Sequence, residues 1–294
     1  MNIAVTGSHG LLAGALSAEL KTAATNTVLA IVRRAPRAAR EILWNPGLPA
    51  APLNGLDAVV HLAGASIARR WTPAARREIV ESRVDRTRAL CVALAALPRP
   101  PRALLSASAI GIYGNRGDEP LDESAPVGLG FLAELARDWE AACRPAEEAG
   151  IRVVHLRFGV VLSPRGGALA RMLPLFRLGL GGPLGNGRQY FSWIHVADAA
   201  RAMRHLLERP DLAGPFNLTA PTPVPNRVFA RTLGRALRRP ALWPAPAFAL
   251  RLAFGTMADE ALLGGARVLP RRLLESGFAF RHDPLPAALA DLLR

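Results

Sequence analysis

The feature that most constrains this chain is a glycine turn between a short apolar run and a helical pattern at its start. Asn2–Thr6 is predicted as a buried strand and Leu11–Lys21 as a helix. Gly7 would permit a tight turn, Gly10 would let a phosphate approach the backbone, and Ala13 would let the helix pack closely on the strand. The turn predicts a dinucleotide-binding loop, with an ordinary strand-to-helix glycine turn as the alternative. The expected contacts are Thr6, Gly7, Ser8, His9, Gly10, Leu11 and Leu12.

Strand-like and helix-like segments alternate through the first half of the chain. Further strands are predicted at Thr27–Val32, Ala58–Leu62, Ala103–Ser108 and Arg152–Arg157, and further helices at Pro73–Leu97 and Gly130–Glu148. This rhythm is typical of a parallel sheet covered by helices on both faces. The predicted fold class is therefore α/β, a Rossmann doubly wound parallel sheet with a smaller, mainly helical C-terminal lobe.

The alternation ends after Leu162, where Gly and Pro become frequent over Gly166–Gly187. Beyond it we predict an extended segment, a helix and a short strand, and then several short helices separated by prolines. These three elements are Gln189–His195, Val196–Leu207 and Gly214–Leu218. We expect a dinucleotide-binding Rossmann domain over 1–165, its sheet completed by about 189–220. Segments 166–188 and 221–294 would form the smaller lobe on the substrate side.

Composition narrows the choice of partners. The formal net charge is +14, but the basic residues are almost all arginines scattered in pairs, with Lys21 as the one lysine. We therefore rank nucleic-acid binding last and expect no specific nucleic-acid partner. No apolar run is long enough to span a membrane and no leader is evident, so we expect a cytoplasmic protein with no membrane partner. Cys91 and Cys143 lack metal-ligand spacing and are predicted to be buried thiols, with no metal.

The end of the second strand bears on the choice of coenzyme. An NAD site usually places an acidic residue there to accept the ribose 2′-hydroxyl, whereas this strand ends in Val32-Arg33-Arg34. Guanidinium groups pair well with a 2′-phosphate, so NADP(H) is expected and NAD(H) is disfavoured. The alternative is that Arg33 and Arg34 are solvated loop charges.

Seven further stretches, taken together with the glycine turn, indicate a known family. They are His61-Leu62-Ala63-Gly64, the stretch from Ser106 to Gly114, Phe131-Leu132-Ala133, Arg157-Phe158-Gly159-Val160-Val161-Leu162, Ser192-Trp193-Ile194-His195-Val196, Asn217-Leu218-Thr219-Ala220-Pro221 and Val268-Leu269-Pro270. With these motifs the chain resembles the extended short-chain dehydrogenase/reductases. It is similar in particular to an atypical subfamily, the YfcH-like epimerase-family proteins with a C-terminal domain of unknown function.

The resemblance implies an NADP-binding Rossmann domain and several further cofactor contacts. It places Val160 near the nicotinamide and Arg83 against the cofactor, while Glu78 is equally well a solvated helix residue. The implied cofactor contacts beyond the loop and the two arginines are Leu62, Ala63, Gly64, Glu78, Arg83, Ser106 and Val160.

The catalytic Tyr and Lys typical of this superfamily are missing. Leu132 and Ala136 occupy the positions that alignment on Glu140 assigns to them, and neither side chain can transfer a proton. Ser108 could still donate a hydrogen bond to a carbonyl. Tyr113 could replace the lost acid or simply pack at a loop. Gln189, Trp193 and His195 are candidate substrate residues, with a structural role for His195 as the stronger alternative.

Two functions remain open. The first is an NADP-dependent oxidoreductase, or an epimerase or dehydratase of the sugar-nucleotide type, acting on an unknown carbonyl or hydroxyl substrate; reduction is favoured because epimerisation needs the missing base. The second is a non-catalytic NADP(H) sensor or partner-binding protein. The resemblance to the superfamily implies a homodimer in which helices Pro73–Leu97 and Gly130–Glu148 pair.

Overall fold

A computed structural model describes residues 1–22 and 26–294 of the chain. The strands within these residues are β1 (Asn2–Thr6), β2 (Thr27–Val32), β3 (Glu41–Leu43), β4 (Ala58–His61), β5 (Ala103–Ala109), β6 (Pro120–Leu121), β7 (Arg152–Phe158), β8 (Val160–Leu162), β9 (Tyr190–Phe191), β10 (Trp193–His195), β11 (Gly214–Leu218), β12 (Val224–Pro225) and β13 (Arg267–Val268). Seven of them form one parallel sheet in the order β3-β2-β1-β4-β5-β7-β11. The order reverses between β1 and β4, which is where ligands bind in open α/β sheets.

Helices cover both faces of the sheet and build the C-terminal part of the chain. They are α1 (Leu11–Leu20), α2 (Pro73–Val80), α3 (Arg86–Ala95), α4 (Phe131–Ala141), α5 (Arg144–Glu148), α6 (Gly167–Arg177), α7 (Val196–Glu208), α8 (Asn226–Leu237), α9 (Ala247–Phe254), α10 (Arg271–Glu275) and α11 (Leu285–Leu292). None of the described helices has the length and hydropathy that crossing a bilayer requires. The Rossmann fold class predicted from the alternation is confirmed.

The alternation of side chains along β1 divides the core into two layers. Ile3 and Val5 pack on one face with residues of α1 and α7, while Ala4 faces a second cluster that includes α3. Successive residues of a strand point to opposite faces, so a short apolar run is buried on both sides. Cys91 and Cys143 are free and buried in the second cluster, as predicted.

Several predicted elements are interrupted. The long helix expected over Pro73–Leu97 contains a π-helical turn at Glu81–Asp85 between α2 and α3. The helix expected over Gly130–Glu148 divides into α4 and α5.

Two elements are additional to the prediction. Strand β3 is one, because three residues give no alternating pattern to detect. Helix α6 lies inside the Gly- and Pro-rich segment, with Pro174 in its interior.

A third cluster of buried side chains lies outside the main sheet and joins α6, α8 and α11. The segment Gln189–His195 contributes β9 and β10, which pair with β12 and β8 in separate two-stranded sheets. Strand β11, by contrast, forms an edge of the seven-stranded sheet. The division into a Rossmann domain and a smaller lobe stays a prediction.

Candidate cofactor site

The turn between β1 and α1 has the geometry of a phosphate-binding loop. Gly7 adopts a φ of 69°, and a Cβ there would lie 3.0 Å from the carbonyl oxygen of Leu62 and 3.1 Å from the nitrogen of Ala63. The Gly10 amide donates to the Gly7 carbonyl over 2.7 Å, which closes the turn. Only glycine combines the left-handed backbone with so close an approach to the next strand end.

The N-terminus of α1 is open toward a cavity. Gly10 precedes the helix in an extended conformation, and no side chain caps its first turn. Amides of an uncapped first turn and the positive end of the helix dipole together favour an anion. The adjoining cavity of about 280 Å³ is lined by Gly7, Gly10, Leu11, Leu12, Ala13, Leu62, Val160, Val161, Gly167 and Ala168.

The cavity therefore brings together six of the predicted contacts, including Leu62 and Val160 from separate strand ends. Ser8 and His9 do not line this cavity, and the Ser8 hydroxyl is 3.4 Å from His9 Nδ1. Ser106 lies apart from the cavity: it is buried in β5, where its hydroxyl lies 3.4 Å from the Ala107 carbonyl and also contacts the Cys143 thiol.

Thr6 joins the glycine turn to the end of β4 through hydrogen bonds. Its hydroxyl oxygen accepts the Leu62 and Ala63 amides over 3.0 and 3.2 Å, and it lies 2.8 Å from Nδ1 of His61. His61 Nε2 in turn lies 3.0 Å from the Thr87 hydroxyl, to which the Trp139 indole also donates. Since Thr6 accepts two amides, its own proton goes to Nδ1, and neutral His61 donates from Nε2. This series of hydrogen bonds fixes the end of β4 against the glycine turn.

Burial lowers the pKa of His61 from 6.5 to about 4. The unfolded chain therefore binds a proton that the folded protein excludes between these two pH values. We expect the free energy of unfolding to fall as pH drops through this window, by about 2 to 3 kcal/mol at roughly pH 4.5. Burial lowers the pKa of His195 to about 4 as well, which acts in the same direction.

Urea unfolding at neutral and acidic pH measures this effect. His61→Gln should reduce the pH dependence, whatever it costs at neutral pH, whereas substitution of the exposed His9 by Gln should leave it intact. An unchanged pH dependence in His61→Gln would contradict the assignment.

The two arginines after β2 have different surroundings. Both Nη atoms of Arg34 donate to Glu41 over 2.9 Å, and the hydrogen bond from Arg34 lowers the pKa of Glu41 to about 2. No acidic residue is near Arg34 in the sequence, but Glu41 lies beside it in the fold because β3 pairs with β2. The Arg33 guanidinium, by contrast, is exposed and has no partner among the described residues. It borders a second cavity of about 500 Å³, lined by Arg33, Asn45, Pro46, Glu81, Asp85, Arg86 and Ala89.

Arg83 lies under the turn that follows β4. Its Nη2 donates to the Ala65 carbonyl over 3.0 Å, and its guanidinium lies 5.1 Å from the Trp139 ring centre. Burial lowers its pKa to about 10, and no carboxylate pairs with it in the described part of the chain. A Cβ on Gly64 would lie 3.2 Å from its Cζ. Arg83 is thus a partly buried cation that lacks an anion.

Glu78 is in a different position. It is exposed on α2, pairs with Arg69 over 2.6 Å and lines neither cavity. This geometry favours the solvated-helix alternative for Glu78.

Ser108 and Tyr113 belong to one buried polar network. The Ser108 hydroxyl donates to Glu140 over 2.7 Å, and Arg157 donates to both carboxylate oxygens of Glu140. Fully buried Tyr113 donates to Asn217 over 2.7 Å and accepts from Arg157 over 2.9 Å. Burial raises the pKa of Tyr113. Both hydroxyl protons are engaged within the protein, which favours packing over acid catalysis for Tyr113.

The positions of the missing catalytic pair are apolar and packed. Ala136 is buried, and a Cβ on Gly111 would lie 3.2 Å from the Cβ of Leu132. The Leu132 amide donates to Glu260, which belongs to the π-helical turn Ala258–Leu262. No proton-transferring side chain occupies these two positions.

The three candidate substrate residues make contacts within the protein. Gln189 donates to the carbonyls of Leu184 and Leu262, and the buried Trp193 indole donates to Thr222. His195 caps α7, with its Nδ1 accepting the amide of Ala197 over 3.0 Å. None of the three lines the cavity at the glycine turn.

His195 also has a possible metal environment. Ligand atoms of His195, His282 and Asp291 lie within 4.8 Å of one another, and the two imidazole rings stack at 3.7 Å. Because Nδ1 of neutral His195 accepts an amide, its Nε2 carries the hydrogen and has no lone pair for an ion. It points instead at Asp291, 3.3 Å away. The geometry favours a structural role for His195.

Comparison with known proteins identifies the family. A sequence profile of the NAD dependent epimerase/dehydratase family matches residues 3–219, and a domain of unknown function matches residues 245–292. The chain belongs to the NAD dependent epimerase/dehydratase family. An epimerase family protein of Mycobacterium bovis is 48% identical over 291 residues, which cover 98% of this chain and 96% of that protein. The predicted resemblance is confirmed.

Solved structures of the family support the same conclusion. The crystal structure of human epimerase family protein SDR39U1 (isoform 2) with NADPH has a TM-score of 0.92 and 36% identity, over 99% of each chain. A nucleoside-diphosphate sugar epimerase from Corynebacterium glutamicum has a TM-score of 0.81 at 36% identity, over all of this chain and 58% of that one.

Proposed function

We propose that this family member binds NADP(H), with the diphosphate on the open N-terminus of α1. The observation that carries the proposal is the uncapped first turn of α1 facing a cavity, beside a glycine that lets the backbone approach. Backbone amides and a helix dipole supply the anion site without any charged side chain. The human relative with a TM-score of 0.92 was crystallised with NADPH, which supports the same coenzyme.

The choice of NADP(H) over NAD(H) depends on Arg33. Arg34 is already paired with Glu41, whereas the Arg33 guanidinium is free to pair with a 2′-phosphate. We expect Arg33→Ser to weaken NADPH binding by about tenfold to a hundredfold, the value of a charge-assisted hydrogen bond, and to leave NADH binding nearly unchanged. Arg34→Ser is the matched control.

Titration calorimetry on protein freed of carried-over nucleotide tests both statements. Wild type should bind NADPH more tightly than NADH, and Arg33→Ser should bring the two affinities together. Failure of the folded protein to bind either coenzyme would refute the site. Equal losses in Arg33→Ser and Arg34→Ser would refute the role of Arg33.

Binding without turnover is the function that the geometry supports best, as in a sensor or partner-binding protein. Any reduction of a carbonyl needs a proton donor, and the hydroxyls of Ser108 and Tyr113 already donate to Glu140 and Asn217. One observation supports the alternative function, an oxidoreductase: Ser108 lies near the carboxyl end of β5, at the edge of the sheet where ligands bind.

Oxidation of NADPH against a panel of carbonyl compounds separates the two functions. If the protein binds without turnover, bound NADPH should stay unreacted across the panel. Turnover that Ser108→Ala or Tyr113→Phe abolishes would establish the oxidoreductase instead.

A further inference from the structure

The segment from Leu212 to Ala258 contains six arginines and no acidic residue. It includes α8, the connection to α9 and α9 itself. The stretch from Ala149 to Ala197, which includes α6, likewise lacks Asp and Glu. The arginines are scattered along the whole chain, but these two stretches pack together through α6 and α8, so the fold gathers a basic surface that composition alone does not reveal.

Most of these arginines have no counter-charge. Arg251 pairs with Asp259, but the others are exposed and form no ion pair in the described part of the chain. The exposed, unpaired arginines of this surface are Arg177, Arg227, Arg231, Arg235, Arg238 and Arg239. An unpaired cluster of cations attracts an anionic partner.

Exposed apolar side chains lie beside these arginines. The loop after α6 runs along the connection between α8 and α9: the Ala245 amide donates to Pro183 over 2.9 Å, and the Gly185 amide donates to Ala245. The exposed fraction of the apolar side chains here runs from 57% to 76%. This apolar patch consists of Leu178, Leu180, Leu242, Trp243, Phe248 and Leu252.

Helix α9 contributes two exposed residues, Phe248 and Leu252, to the apolar patch. It contains no buried residue, and its half-buried side is formed by Leu250 and Phe254. Phe248 and Leu252 are four residues apart and therefore share one face. A helix of mostly apolar residues that remains exposed marks an interaction site.

We propose that the apolar patch and its arginines dock this protein on an anionic lipid surface. Leu, Phe and Trp side chains would enter the boundary between headgroups and acyl chains, while the guanidiniums pair with lipid phosphates. This is attachment to one face of a bilayer, and it requires no membrane-spanning helix. The prediction of no membrane partner rests on the lack of a membrane-spanning apolar run and of a leader, and neither bears on attachment to one face of a bilayer.

Other occupants fit the surface less well. A two-fold contact between copies would bring the unpaired arginines of both copies face to face, because such an interface pairs the same patch on each. A nucleic acid would pair its phosphates with the arginines, but bases stack on aromatic rings, and the four leucines among the six patch residues would stay without a partner.

Trp243 provides the signal for the test. It is the exposed tryptophan of five, and the other four, Trp44, Trp71, Trp139 and Trp193, are buried. With vesicles of phosphatidylcholine and roughly one third phosphatidylglycerol, we expect co-sedimentation and a blue shift of the emission. Pure phosphatidylcholine vesicles should give neither, and added salt should weaken binding.

Paired variants separate the charged and apolar contributions. Arg238→Gln with Arg239→Gln should weaken vesicle binding by about thirtyfold. Phe248→Ser with Leu252→Ser should weaken it by at least about tenfold. The matched controls are Arg77→Gln with Arg88→Gln, and Leu129→Ser, all at exposed positions of other elements. Thermal melts check that each variant is folded.

Several outcomes would overturn the proposal. One is absence of vesicle binding, and another is equal weakening by the control arginine pair. Sedimentation that shows a dimer dissociated by the Phe248 and Leu252 changes, without vesicle binding, would assign the patch to a second copy. Binding of a DNA duplex or of polyglutamate as tight as vesicle binding, with no shift of Trp243 emission, would assign it to polyanions in general.

Discussion

Replacing Glu140 with alanine is expected to destabilise the protein by roughly 3 to 5 kcal/mol. Glu140 accepts two hydrogen bonds from Arg157 and one from Ser108, and the side chains of the ion pair are only 14% and 9% exposed. Removing the carboxylate leaves a buried guanidinium without its charge partner. Urea unfolding at neutral pH measures the loss.

The same substitution at Glu78 is the matched control. Glu78 pairs with Arg69 at the surface, where both side chains are more than a third exposed, and its loss should cost less than about 1 kcal/mol. If Arg157 is the reason for the large effect, Arg157→Met in the Glu140→Ala background should restore part of the stability. A loss at Glu140 no greater than at Glu78 would show that the network contributes little.

The sequence predicted the fold well because its signals are local. Short apolar runs, glycine turns and amphipathic segments each report on a few neighbouring residues, and together they specify a parallel sheet with helices on both faces. The interruptions at Glu81–Asp85 and at the junction of α4 and α5 were missed, because the hydrophobic pattern continues across them.

The site was predicted less completely, because its partners are distant in sequence. Gly7 and Val160 are 153 positions apart in the sequence, yet they border one cavity. It was the family resemblance, and no local pattern, that placed Val160 at the cofactor site. No local pattern indicates that Glu41 pairs with Arg34 and leaves Arg33 free. The engagement of Ser108 and Tyr113 by Glu140, Arg157 and Asn217 likewise follows only from tertiary packing.

Gly7→Ala is expected to weaken NADPH binding by at least about tenfold, or 1.4 kcal/mol. The new Cβ would lie 3.0 Å from the Leu62 carbonyl oxygen, and these contacts are with backbone that cannot rotate away. The backbone also has a φ of 69°, which an alanine adopts only at a cost. Either the turn opens or β4 shifts, and both displace the α1 amides from the diphosphate. Calorimetry with NADPH measures the loss on protein shown to be folded by its thermal melt.

Gly14 supplies the comparison, because it belongs to the same helix but a Cβ there would meet nothing within 4 Å. Gly14→Ala should leave NADPH affinity unchanged and raise stability by up to about 1 kcal/mol, since alanine is the better helix former. A similar affinity for NADPH in both variants would mean that the coenzyme does not depend on the close approach of Gly7 to β4. The diphosphate would then have to lie away from the open end of α1.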